Sequence, residues 1–190
     1  MKKIYLVLIT LLSMQMAGCA TTTKDSVSGV KRSQLMLLPS SSVNKMSAQA
    51  YTKTIKEAEG KKTLNADPAM VTRVRGISNR LIAQVGIFRP DATKWAWVVN
   101  VEKNDQLNAY CMPGGKIMVL SGLVEKIEAT DDELAAVIGH EIAHALREHG
   151  RERMSQAYVQ QFGLQALASL VGGTAGSVAA QGAGMGSQLF

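Results

Sequence analysis

The stretch that decides the fold reads Thr130-Asp131-Asp132-Glu133 and continues, after six mostly apolar residues, with His140-Glu141-Ile142-Ala143-His144. Thr130 and Glu133 have the spacing of a capping box, in which each side chain bonds the backbone N–H of the other residue, and the acidic residues suit the positive end of a helix. The apolar residues that follow recur at helical spacing and are Leu134, Val137, Ile138, Ile142, Ala145 and Leu146. These features predict a capped, largely buried helix, which we expect Gly150 to interrupt after His149.

Two histidines on this helix form a candidate metal site. Residues four apart in a helix are turned by only ~40°, so His140 and His144 project from one face and can bind a single ion. Zinc suits two imidazoles with a coordination position left for water. Glu141, beside the first ligand, is placed to take a proton from that water. The pattern predicts one Zn²⁺, with His140 and His144 as ligands and Glu141 as the catalytic base; the alternative is a surface helix with a solvated glutamate.

The same helix does not supply a third ligand. Glu148 follows His140 by eight residues, about 12 Å along the axis, whereas ligand bonds are ~2 Å long. His149 lies about 180° around the helix from His140, so we expect it to cap the helix or to support a ligand. After Glu152 the sequence contains no Asp, Glu or His. We therefore expect either that these residues are a truncated stretch of a longer protein or that the site is incomplete.

The residues before this helix predict another helix and a small sheet. Asp67-Pro68 supplies a cap and a first-turn proline, and apolar residues follow at helical spacing as Met70, Val74, Ile77, Leu81 and Val85. Strand-like segments follow at Trp95 to Val101, at Asn108 to Met112 and at Lys116 to Leu120, with a turn at Pro113-Gly114-Gly115 and a short helix from Leu123 to Ile127. The predicted fold class is α+β: zincin-like and mostly helical, with a small sheet beside the histidine helix.

The N-terminus has the pattern of a secretory leader. Met1-Lys2-Lys3 precedes an apolar run of nine residues, Ile4 to Leu12, which is too short for the ~20 residues that span a membrane. Met16-Ala17-Gly18-Cys19 resembles a bacterial lipobox and predicts lipidation of Cys19; the alternative is an ordinary signal with an incidental cysteine. Ala20 after the cysteine favours the outer membrane by resemblance to Gram-negative lipoproteins. We expect a signal peptide at 1–18, a Ser/Thr-rich tether at 19–47 and one domain at 48–190.

Composition limits the partners. The 190 residues suffice for one domain, and the formal charge of +6 falls to about +4 without Lys2 and Lys3. The basic residues form no stripe interleaved with aromatics, and only 5% of residues are aromatic, so no nucleic-acid partner is expected, whereas an anionic membrane surface is. If Cys19 is acylated, Cys111 is the one remaining thiol. The uncharged segment from Gly163 predicts a membrane-inserting or mobile active-site segment; the alternatives are a packed small-residue helix or a tail.

Two motifs in fixed order carry a family resemblance. The run from Asn108 to Leu123, followed by His140 to Gly150, resembles the Oma-type zinc metallopeptidases related to CAAX prenyl proteases. The resemblance covers roughly residues 50–153. It implies that His140 and His144 bind zinc, that Glu141 is the base, and that a third ligand comes from a Glu-x-x-Ala-Asp motif in a later helix. It also implies that the strand around Met112 to Met118 is an edge that binds an extended substrate, with Met112, Pro113, Gly114 and Gly115 as substrate-binding residues.

Taken together, these patterns predict a membrane-tethered zinc endopeptidase. It would cleave protein or peptide substrates, namely unfolded or misassembled envelope proteins, while lipid-anchored to the outer membrane and facing the periplasm, with envelope-assembly or chaperone partners. The alternative, motivated by the missing ligand, is a non-catalytic chaperone-like or binding lipoprotein with an incomplete metal site.

Overall fold

The structure, a computed structural model, describes residues 19–20 and 33–170, with side chains described from 33 to 162. The predicted signal peptide, much of the predicted tether and the segment after Leu170 lie outside the described residues. Within the described part of the chain, no helix is both long enough and apolar enough to cross a membrane.

Helices and a small sheet alternate along the chain. The strands are β1 (Cys19–Ala20), β2 (Gln34–Leu35), β3 (Val98–Glu102), β4 (Ala109–Met112) and β5 (Lys116–Leu120). The helices are α1 (Ser40–Gly60), α2 (Pro68–Ile82), α3 (Val85–Phe88), α4 (Ser121–Glu125), α5 (Asp131–Leu146) and α6 (His149–Leu170), with a 3₁₀ turn at Pro90–Lys94. The predicted fold class, mostly helical α+β with a small sheet beside the histidine helix, is confirmed.

The sheet of β3, β4 and β5 lies between two helical layers. β5 is its central strand, parallel to β3 and antiparallel to β4. Alternate β5 residues serve opposite faces: Ile117 and Val119 belong to the main core with residues of α2 and α5, while Met118 and Leu120 pack with Tyr51 of α1. The sheet therefore fixes α5 on one face and α1 on the other.

Helix α5 begins with the predicted capping box. Thr130 accepts a bond from the backbone N–H of Glu133 at 3.3 Å, and the Glu133 carboxylate accepts one from the backbone N–H of Thr130 at 2.8 Å. Arg73 of α2 reaches Asp131 at 2.7 Å and ties the two helices together at this end. Leu134 and Ile138 are fully buried beneath the helix. The face that carries the histidines is thus held by a cap, an ion pair and core packing.

The tether predicted for 19–47 is partly wrong. From Gln34 the chain is folded, and α1 begins at Ser40, with Val43 and Ser47 buried. The Ser47 hydroxyl donates to the carbonyl of Pro113 at 2.9 Å, and the Tyr51 hydroxyl donates to that of Ile117 at 2.7 Å. The first half of α1 is therefore a folded support for the β4–β5 turn and for β5.

Three other expectations can be compared with the structure. Helix α2 begins as predicted, with the Asp67 carboxylate accepting from the backbone N–H groups of residues 69 and 70 at 2.9 and 3.1 Å. The strand predicted from Trp95 starts only at Val98, because Trp95 ends the 3₁₀ turn. The break predicted at Gly150 is wrong: α5 ends at Leu146, and Gly150 lies inside α6.

Candidate metal centre and substrate edge

The two predicted ligands converge on one point. His140 Nε2 and His144 Nε2 are 2.9 Å apart, and their ring planes are nearly perpendicular. On a tetrahedral zinc ion, with Zn–N bonds of about 2.0–2.1 Å, two such nitrogens lie about 3.3–3.4 Å apart. A small side-chain rotation covers the difference, so this pair fits two ligand positions of one zinc ion. Among the residues that the structure describes, no group of three His, Cys, Asp or Glu side chains is arranged to hold a metal.

His149 contacts His144 on the side of the ring that faces away from His140. Its Nδ1 atom lies 2.6 Å from Nδ1 of His144, the ring nitrogen that does not face His140. One of these two nitrogens carries the proton and donates to the other, and the bond at one imidazole nitrogen orients the other for a metal. The sequence predicted a supporting role for His149 on the premise that one helix continues through this residue. That premise is wrong, because one helix ends at Leu146 and the next begins at His149.

Partial burial also favours the neutral, ligating form of His144. Desolvation lowers its pKa below the ordinary value, and the positive potentials of His140 and Arg153 act in the same direction, while Glu141 opposes them. A neutral imidazole has the lone pair that a metal requires. The environment therefore keeps this side chain available as a ligand to a lower pH than a solvated histidine.

A cavity of about 230 Å³ opens beside Glu141 and His144. Its remaining lining residues are Tyr110, Cys111, Pro113, Ala145, Glu148, Gly150 and Arg153. It joins the end of β4 to the joint between α5 and α6, so the candidate base faces a space bounded by a strand. Tyr110 and Arg153 were not predicted, because their places in the cavity come from tertiary packing and no sequence pattern marks them.

Strand β4 is an edge strand of the three-stranded sheet. The ladder pairs Tyr110 with Met118 and Met112 with Lys116, and Leu120 donates to the carbonyl of Asn108. By the alternation of an antiparallel ladder, the backbone groups of Ala109 and Cys111 face away from β5. The predicted edge from Met112 to Met118 is therefore wrong for its second half, because Met118 lies in the central strand and is fully buried.

Of the four predicted substrate-binding residues, one lines the cavity and three lie elsewhere. Pro113 lines the cavity, whereas the Met112 side chain is buried in the core around Tyr51. Gly114 and Gly115 complete the predicted turn with φ of +80° and +82°, which L side chains rarely adopt. They are absent from the cavity lining described above, so they shape the turn that ends β4.

Cys111 projects from β4 toward the face of the sheet that packs against α5. It packs against the main core and is the free thiol among the described side chains. Burial strongly raises the pKa of this thiol, and the negative charge of Glu141 adds to the effect. The side chain is therefore a neutral, unreactive wall of the cavity rather than a nucleophile.

The arrangement defines the class of metallopeptidases whose active-site helix carries His-Glu-x-x-His. The chain belongs to peptidase family M48, whose sequence profile matches residues 68–190, well over half of its length. This agrees with the resemblance seen in the sequence.

Individual relatives match parts of the chain. It is 28% identical over 132 residues to the mitochondrial metalloendopeptidase OMA1 of Bos taurus, covering 69% of this chain and 24% of that protein. It is 38% identical over 72 residues to the metalloprotease LoiP of Escherichia coli, covering 38% of this chain and 27% of that protein. It is 31% identical over 90 residues to the beta-barrel assembly-enhancing protease of Yersinia pestis, covering 47% and 17% respectively. The chain thus spans about a quarter or less of these relatives' own length.

Proposed function

We propose that this chain carries the active-site helix and substrate edge of a zinc-dependent endopeptidase. The observation that carries the proposal is the convergence of His140 Nε2 and His144 Nε2 to 2.9 Å beside a cavity that Glu141 lines. Family membership and the relatives named as metalloendopeptidases support it. The third protein ligand would come from residues other than those described.

The reaction would use the chain's own groups as follows. A bound zinc ion supplies Lewis acidity, which polarises a carbonyl and lowers the pKa of water. An extended substrate adds to the free edge of β4 through the backbone groups of Ala109 and Cys111, by β-augmentation. Glu141 accepts the proton of the attacking water and then delivers it to the leaving amine. His149 holds His144 in the orientation that ligation needs.

Glu141→Gln tests the base. The substitution keeps size and hydrogen bonding but removes the proton acceptor, so we expect casein cleavage by the full-length protein to fall by at least ~10²-fold while zinc content stays at one ion per chain. Glu125→Gln, at an exposed glutamate of α4, is the matched control and should retain activity. Cleavage that survives Glu141→Gln would rule out this mechanism.

We further propose that the protein is a lipoprotein of the outer membrane, facing the periplasm, with unfolded or misassembled envelope proteins as substrates. The lipobox ending at Cys19 and the following Ala20 support this. The name of the Yersinia relative, which refers to β-barrel assembly, fits such clients and assembly partners. In the structure Cys19 is in register with Leu35, so a lipid on this residue would start next to the folded domain.

Cys19→Ala tests the anchor. Removal of the acylated side chain should move the protein from the membrane to the soluble fraction and abolish labelling with a palmitate analogue. The matched control is Cys111→Ala, which should leave both unchanged. Membrane retention of Cys19→Ala without lipid labelling would point to an uncleaved signal anchor instead, and absence of lipid labelling in the wild type would exclude the lipid anchor.

A second candidate function is a non-catalytic, chaperone-like lipoprotein. It is favoured by one observation, the lack of a third ligand grouped with the histidine pair among the described residues. Metal analysis of the full-length protein separates the two proposals: tightly held zinc with casein cleavage excludes the second, and suppression of client aggregation without zinc excludes the first.

A further inference from the structure

The joint between α5 and α6 places His149 on His144. Helix α5 ends at Leu146, Glu148 has a φ of +50°, and α6 begins at His149. A residue with a side chain rarely adopts this left-handed conformation, which is unfavourable by itself, so surrounding contacts must hold it. In one continuous helix His149 would lie five residues after His144, about 140° around the axis from it, and could not make this contact.

The Glu148 carboxylate is the centre of those contacts. The residue is only 6% exposed, and its Oε2 atom lies 3.0 Å from Arg151 Nη1 and 3.4 Å from Arg89 Nη1. The Ser40 hydroxyl donates to the other carboxylate oxygen. Arg89 also donates to the carbonyl of Leu146, the last residue of α5, at 3.0 Å. One buried carboxylate therefore binds groups from α1, α6 and the loop after α3, and two guanidinium groups offset its burial.

A segment that we name the N-terminal strap, Gln34–Ser40, closes over the same joint. Gln34 Nε2 donates to the carbonyl of Arg147 at 2.8 Å and to the carboxylate of Glu152 at 3.0 Å. Arg151 Nε donates to the carbonyl of Leu38 at 2.6 Å. The strap thus contacts both sides of Glu148 in sequence and fixes the start of α6 against the end of α5.

We propose that Glu148 is a positioning residue for the metal ligand His144, acting through the joint and through His149. The inference rests on the proposed zinc function and deepens it, because it assigns to Glu148 a role other than ligand or base. The carboxylate holds the joint, the joint holds His149 Nδ1 at 2.6 Å from His144 Nδ1, and that contact orients the opposite nitrogen for metal. The strap extends this support to the segment that leads from the predicted lipid anchor.

Zinc affinity, measured by chelator competition on the full-length protein, is the direct test. Loss of a group that orients a metal ligand typically lowers affinity by about 10–100-fold, so His149→Ala should weaken zinc binding by that factor. Glu148→Gln should weaken it by about 10-fold, because the amide cannot form the two ion pairs. Since Glu148 acts through His149, adding Glu148→Gln to His149→Ala should change the affinity by less than about 2-fold.

Two further variants separate positioning from stability. Tyr51→Phe removes two buried hydrogen bonds on the opposite face of the sheet, away from the joint, and should lower stability without a change in zinc affinity. If Glu148→Gln does not fold, Ser40→Ala, which removes one hydroxyl from the carboxylate, should weaken zinc binding about 3-fold. In metal-free protein, ¹⁵N spectra should report a hydrogen-bonded Nδ1 on His144 that disappears in Glu148→Gln.

The outcomes are distinct. Unchanged zinc affinity in Glu148→Gln or Ser40→Ala, or fully additive losses in the double variant, would overturn the positioning role while leaving the zinc function in place. Wild-type protein that binds no zinc would overturn the proposed function itself, and the ¹⁵N spectra would still decide whether Glu148 sets the contact between the two histidines.

Discussion

Replacement of Tyr51 by phenylalanine should weaken the attachment of α1 to the three-stranded sheet. The Tyr51 hydroxyl donates to the carbonyl of Ile117 at 2.7 Å and accepts from Asn100 Nδ2 at 3.1 Å, and the side chain is 5% exposed. Each buried hydrogen bond contributes about 1 kcal/mol net, and a partner left unsatisfied costs somewhat more. The free energy of unfolding of Tyr51→Phe should therefore be lower by about 2–3 kcal/mol at neutral pH.

The difference should vanish in alkali. Burial raises the pKa of Tyr51 from 10.0 to about 12, so the folded state favours the neutral phenol. Because the folded pKa lies above the unfolded one, this stabilisation is complete below pH 10 and is lost as the pH rises through 12. A shift of about two pKa units corresponds to roughly 2.7 kcal/mol, nearly the whole advantage of the tyrosine. The wild type and Tyr51→Phe should thus reach similar stability near pH 12.

Urea unfolding followed by tryptophan fluorescence between pH 7 and 12 measures this difference. Other groups that titrate in alkali are shared by both proteins and largely cancel in the comparison. Tyr158→Phe, at an exposed tyrosine of α6, is the control and should show a small, pH-independent effect. A gap between the wild type and Tyr51→Phe that stays constant from pH 9 to 12 would refute the assignment of a buried, neutral phenol.

Two more substitutions test the supports of the site. Thr130→Ala removes the cap of α5 and should lower the free energy of unfolding by about 1 kcal/mol, but zinc affinity should not change, because the cap lies about 15 Å along the axis from His140; a large loss of affinity would mean that the cap sets the ligand geometry. Gly115→Ala places a Cβ 2.7 Å from the Trp97 ring at a φ of +82°, which should destabilise the fold by about 3 kcal/mol through clash and backbone strain. Gly114→Ala, with a nearest contact of 3.8 Å, should cost only about 1 kcal/mol, and thermal unfolding that ranks the two equally would contradict the packing described for the turn.

Local patterns in the sequence predicted the parts of the site that depend on local structure. The capping box, the proline-led start of α2 and the turn at Pro113 were correct, since each depends on bonds between residues a few positions apart. The start of α1 was missed because its serines resemble a linker, although Val43, Ser47 and Tyr51 follow at helical spacing. That spacing was a usable signal, but burial of a serine is set by a distant carbonyl partner that no local pattern reveals.

The joint between α5 and α6 could not be predicted for a related reason. A positive φ at Glu148 is unfavourable by itself, and its partners Arg89 and Ser40 are separated from it by 59 and 108 residues in the chain. The helical pattern of the sequence runs through His149, so the sequence predicted a break at Gly150 and not between Leu146 and His149. Tertiary ion pairs outweigh the local backbone preference, and they do so at the position that allows His149 to contact His144.

The same long-range contacts bear on which proposed function the chain serves. The two imidazoles, with Nε2 atoms 2.9 Å apart, are brought together by the fold, because the core under Ile138 and the joint at Glu148 fix this part of α5 independently of a metal. A pair that is already in place loses little conformational freedom on binding an ion, and such preorganisation strengthens binding. A chaperone-like surface would need none of this, since client binding uses exposed apolar area. The supports around His144 therefore favour metal chemistry as the role of this helix.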